Sequence, residues 1–146
     1  MRTRLERIGL LYLALGAASV GLWALPAPRS WFDRFPGGPF DPWAAALPPY
    51  NEHLVRDVGA LYLGFAVLFA WAAWRPSRAL VVPAAVAWIV VQAPHLLFHL
   101  QHDEGLSTAN HWAQAGALAG FVVVALAVAL SSRQAVRGSG VSGSMP

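Results

Sequence analysis

Cysteine is absent from the chain, and so is lysine. The first absence excludes disulfides, thiol catalysis, iron–sulfur clusters and thiolate zinc sites. The second leaves arginine to carry all ten basic charges, against seven acidic ones. The arginines are scattered and gather only at the ends of apolar runs. That is a pattern of membrane topology, not of a nucleic-acid-binding stripe, and no nucleic-acid partner is expected. There is no P-loop, no G-x-S-x-G and no dinucleotide fingerprint, which argues against soluble nucleotide chemistry. No apolar run alternates with a period of two, which argues against a membrane β-barrel.

What is present is long apolar runs. Four of them match the roughly 20 helical residues needed to cross a hydrocarbon core of about 30 Å. They are "IGLLYLALGAASVGLWAL" (8–25), "LVRDVGALYLGFAVLFAWAAW" (54–74), "ALVVPAAVAWIVVQAPHLLFHL" (79–100) and "HWAQAGALAGFVVVALAVAL" (111–130). The expected fold is therefore all-α, a four-helix transmembrane bundle forming one domain over 1–132, with a flexible tail at 133–146. "MRTRLER", "RPSR" and "SSRQAVR" are the basic segments beside these spans, and an even number of spans puts all three on one side. The positive-inside rule makes that side cytoplasmic, with both termini there. A cleaved signal peptide is the competing reading of the first span, given its basic start and "ALPAP"; its run is long for an h-region, and Leu25 suits a cleavage site poorly. The lysine-free, alanine- and arginine-rich composition points to a high-GC bacterial genome, hence to a bacterial cytoplasmic membrane.

The connection at 26–50 is too rich in proline and glycine for a long helix. Its Trp31, Phe32, Phe35, Phe40 and Trp43 are expected as anchors at headgroup depth, or as a lid over the outer mouth of the bundle. "GALAG" (116–120) holds a G-x-x-x-G, which permits a close helix approach inside the bundle or in a homo-oligomer.

Titratable groups collect at the outward end. Glu52, His53, Arg56 and Asp57 open the second span, His95, His99 and His102 close the third, and Asn110, His111 and Gln114 open the fourth. At 100° per residue the three histidines of the third span share an arc of about 60° and rise over roughly 10 Å. Gln92 extends this stripe toward the membrane centre. Glu52 and Arg56, and His53 and Asp57, are four apart and can pair on one face. Pro94, immediately before His95, frees the Val90 carbonyl, and broken backbone in a membrane tends to border a cavity or site. His95 is expected to be the deepest member.

Intramembrane ionisable groups are costly and are functional suspects by default. Imidazoles and carboxylates brought together match the ligand set of zinc, copper or non-haem iron, and two facing histidines suit a haem. The candidate ligands are His95, His99, His53, Asp57, His102, Glu52 and His111, with Arg56, Gln92, Gln114 and Asn110 supporting them or the substrate. The competing reading is a hydrogen-bonded polar cap, in which Glu52 merely suits a helix N-terminus capped by Asn51. Proton relay is a third use of clustered histidine.

"PYNEHLVRDVGALYLGF" (49–65) followed by "PHLLFHLQH" (94–102) resembles small four-span membrane proteins of high-GC Gram-positive bacteria. More loosely, the size and span order resemble DoxX-like proteins. The resemblance implies a four-helix bundle in the cell membrane and brings no assigned activity. The leading functional expectation is thus a metal or haem site near the outer face, performing redox chemistry on a lipophilic substrate such as a quinone or lipid. The alternatives are non-enzymatic binding of a lipid or small molecule, a proton relay, or an accessory subunit of a larger membrane complex.

Overall fold

A computed structural model describes residues 2–102 and 105–137 of the chain. The described residues form five helices and no strand: α1 Arg2–Ala24, α2 Pro28–Arg34, α3 Glu52–Trp74, α4 Arg78–Gln101 and α5 Thr108–Arg137. Four helices are long and apolar enough to cross a membrane, over Arg4–Ala24, Glu52–Trp74, Arg78–Gln101 and Thr108–Ser132. This is the all-α, four-helix architecture of a multi-pass membrane protein. The tail expected from residue 133 instead continues α5 as far as Arg137. Residues 138–146 of that tail, with Asp103 and Glu104, lie outside the described residues.

The long helices pack as a ring in which α1 touches α3 and α5, and α4 touches α5 and α3. Leu10, Leu13, Phe69, Val81, Trp88 and Ala125 are fully enclosed at its centre. Trp88 sits edge-on to Tyr62, Phe65, Phe69 and Phe121, with ring centroids 4.9–5.9 Å apart. Aromatic pairs in this arrangement add about 0.5–1.5 kcal/mol each beyond their buried area. Large apolar side chains such as Leu15, Val67, Val90 and Val123 point away from the ring. An apolar exterior is what lipid-facing helices need, because lipid itself supplies no force to turn these residues inward.

Glycine sets the tightest contact. A Cβ on Gly59 of α3 would lie 2.6 Å from the Leu25 backbone nitrogen, and one on Gly21 of α1 would lie 2.8 Å from the Gly59 carbonyl. The backbones of α1 and α3 therefore meet where no side chain fits. The G-x-x-x-G at 116–120 does not play this part. Gly116 faces open space, and Gly120 approaches only the Tyr12 hydroxyl of α1.

Helix ends follow local chemistry. Asn51 caps α3 by accepting a hydrogen bond from the Leu54 amide at 3.1 Å, and Glu52 stands in the first turn. At the opposite end of the bundle, Ser132 of α5 donates to Glu6 of α1, so the start of the first span meets the end of the last. The connection between α1 and α3 covers the other end, which is called the loop end below. Gly37 and Gly38 take φ of 86° and 67°, the left-handed region that glycine enters freely, and turn this segment back over the bundle.

Candidate functional site

A cavity of about 140 Å³ lies at the loop end, where all four long helices and the α1–α3 connection meet. Trp31, Phe35 and Trp43 of that connection form part of its wall. They pack on one another, Trp31 tilted against Phe35 at 5.0 Å and Phe35 edge-on to Trp43 at 6.0 Å. These three residues face the cavity, and the connection is called the lid below. Phe32 turns instead to Tyr50, and Phe40 packs on Trp43 while remaining half exposed. On α2, Arg29 pairs with Asp33 at 2.7 Å, and this bond raises the guanidinium pKa further above its ordinary value.

The lid is fastened to α5. Asn110 Oδ1 accepts from the Asp41 amide at 3.1 Å and from the Trp43 indole N–H at 3.0 Å. Asn110 Nδ2 donates to Ser107 Oγ at 2.8 Å. The Asp41 carboxylate accepts from the Ser107 amide at 3.2 Å and from its hydroxyl at 2.9 Å. Asp41 and Ser107 complete a bridge that spacing along the chain gave no reason to pair, since 66 residues separate them. Asn110, expected beside a substrate, is part of this fastening.

The polar part of the cavity wall comes from α4 and α5. His95 and His99 both line it, with their Nε2 atoms 3.0 Å apart. One helical turn separates them, so a single hydrogen bond joins adjacent levels of one stripe. His99 is the buried member, at 6% exposure, whereas His95 keeps an exposed face. Exposure follows rotation about the helix axis, a separate matter from the depth of His95 along the span. Gln114 of α5 lines the same cavity and is 5% exposed, and its Oε1 is buried without a partner among the described residues. The Trp31 Nε1 is also buried and unpartnered.

The other expected members stand apart. Glu52, His53, Arg56 and Asp57 are all exposed on α3. They satisfy each other locally, Arg56 with Glu52 at 2.9 Å and His53 with Asp57 at 3.3 Å. Arg56 also donates to the Leu25 carbonyl at 2.6 Å, closing the end of α1. The α3 groups that line the cavity are Val58 and Tyr62, one turn apart and so on one face of the helix. His102 folds onto its own helix, stacking on Phe98 at 4.2 Å and bonding the Phe98 carbonyl through Nδ1 at 2.8 Å. Gln92 is fully buried and donates to the Tyr62 hydroxyl at 3.2 Å, below the cavity histidines in the chain. His111 Nδ1 is buried and unpartnered among the described residues.

The expected convergence of three polar stripes is therefore corrected. Among the described residues, no three histidine, aspartate or glutamate side chains come together in a way that could hold a metal ion. The α3 carboxylates Glu52 and Asp57 are exposed, and the two cavity imidazoles bond each other through Nε2. Tyr62 was not expected at the site. Tyr62 falls ten residues after Glu52, and only the packing of α3 on its neighbours shows which face it serves.

No protein-family model matches the chain, and neither a curated protein nor a solved structure matches it.

Proposed function

We propose that this protein is a membrane-embedded binding module that takes a small lipophilic molecule into the cavity beneath its aromatic lid. The observation that carries the reading is the wall itself. It is almost wholly apolar and aromatic, it is interrupted by one histidine pair and one glutamine, and its lid is fastened by named hydrogen bonds. A concave apolar site with a few polar groups to fix orientation is the usual form of a small-molecule site. Lipid brings such a molecule to the bundle, and the lid separates it from water. With the positive-inside orientation, the cavity opens on the outer half of the bacterial membrane. Binding is the reading the donor set supports: the cavity offers a polar handle, and among the described residues no three histidine, aspartate or glutamate side chains gather there.

Toluene tests this reading. A ligand that binds only the folded protein raises its melting temperature. The full chain in mild detergent should melt several degrees higher with saturating toluene. Ala117→Trp, which fills the cavity from α5, should lose that increment. Equal increments in the two proteins would show that toluene acts elsewhere, and the reading would fall.

A further inference from the structure

We infer that the ligand's buried head is a neutral ring bearing a hydroxyl, phenolic in kind; this rests on the binding reading above. Size comes first. An engineered apolar cavity of about 150 Å³ holds benzene. The cavity here, at about 140 Å³, matches one six-membered ring. The aromatic groups Trp31, Phe35, Trp43, Tyr62 and Phe121 in the wall favour a flat partner, since ring pairs prefer edge and offset contacts.

Charge comes next. Among the described residues, no arginine, aspartate or glutamate lines the cavity. The Nε2–Nε2 bond between His95 and His99 needs one ring to donate and the other to accept, so at most one of the two can be an imidazolium. A carboxylate or phosphate head would have to charge one of these imidazoles to be balanced, and burying an ion pair costs more than burying a neutral polar group.

Hydrogen-bond character settles the head. In the neutral pair, the ring that donates from Nε2 has a bare lone pair on Nδ1. The ring that accepts at Nε2 carries its hydrogen on Nδ1. Whichever way the bond runs, the two Nδ1 atoms are one donor and one acceptor. Gln114 adds the same duality, since its amide holds an N–H₂ and a carbonyl and its Oε1 is unpartnered among the described residues. A wall that gives and takes is answered by a group that does both. A hydroxyl is the smallest such group, whereas a ring carbonyl or ether only accepts and a methyl does neither.

Three probes of one shape separate these points: p-cresol, p-xylene and p-toluate, titrated by calorimetry into the full chain in mild detergent with a matched detergent blank. p-Cresol should bind at least tenfold more tightly than p-xylene, and p-toluate more weakly than either. Gln114→Met should narrow the ratio of p-cresol to p-xylene at least threefold while leaving p-xylene binding intact, a result that a misfolded variant cannot give. Equal affinity for p-cresol and p-xylene, or preference for p-toluate, overturns the phenolic head and leaves the cavity reading standing. Absence of binding by all three overturns both.

Discussion

The Nε2 atoms of His95 and His99 stand 3.0 Å apart across one turn of α4, at the wall of the loop-end cavity. This contact makes the two imidazoles a single polar unit. It orients both rings and leaves their Nδ1 atoms with opposite character. His99→Phe should keep the wall apolar and nearly filled while removing the pair. The expected result is about a tenfold loss of p-cresol affinity, the worth of roughly one hydrogen bond, about 0.5–1.5 kcal/mol. p-Xylene affinity should change by less than about threefold, since that ligand makes no such bond. Parallel titrations of the two ligands check this; an equal loss for both means that His99 shapes the cavity and does not recognise a polar head.

Asn110 holds the lid through one oxygen. Asn110→Ala leaves the Trp43 indole N–H and the Asp41 amide without their acceptor. Losing a buried partner costs about 1–3 kcal/mol, and half-buried groups that water can reach fall at the lower end. The variant should therefore melt a few degrees lower. Amide deuterium uptake should rise in the Phe35–Trp43 stretch, whose Trp43 amide bonds the Phe35 carbonyl at 2.7 Å. Asn110→Asp keeps the accepting oxygen and should preserve most of the protection. Unchanged uptake in Asn110→Ala would mean that aromatic stacking alone holds the lid.

The four spans were legible because span length and apolarity are local properties, and the hydrocarbon thickness fixes both. The Asn51 cap was legible for the same reason: side chain and amide lie three residues apart. Convergence was not, because it depends on how each helix rotates about its axis when it packs. His95, His99 and Gln114 rotated inward to the cavity, while His53 and Asp57 rotated outward. Apolar residues surround all four helices, so the hydrophobic pattern that fixes rotation in a water-soluble protein is weak here. Lid contacts such as Asp41 with Ser107 depend on a chain reversal far from either residue.

The exposed α3 groups give a test by contrast. His53 and Asp57 keep side-chain exposures of 88% and 61%, and exposed ion pairs of this kind contribute about 0–1 kcal/mol. His53→Ala and Asp57→Ala should leave both melting temperature and p-cresol affinity within measurement scatter. Elemental analysis of protein purified without chelator adds a second axis. Near-stoichiometric metal, lost in His95→Ala and in His99→Ala, would restore the metal-centre expectation and require α3 to turn its carboxylates inward.

Gly59 allows the sharpest stability prediction, because the obstruction it avoids is backbone. Its missing Cβ would sit 2.6 Å from the Leu25 nitrogen and 3.1 Å from the Ala24 carbonyl carbon. No rotamer change relieves such a clash, so α1 and α3 must separate to admit even alanine. Overpacking of this kind costs about 1–3 kcal/mol, and separating two helices along a shared face belongs at the upper end. Arg56 adds to the effect, since its bond to the Leu25 carbonyl spans the same junction. Gly59→Ala should therefore lower the melting temperature in detergent by several degrees. Gly116→Ala, which meets nothing within 4 Å, should hold it level or raise it slightly through better helix propensity. If the two substitutions shift melting alike, the close contact of α1 and α3 is not what holds this end of the bundle together.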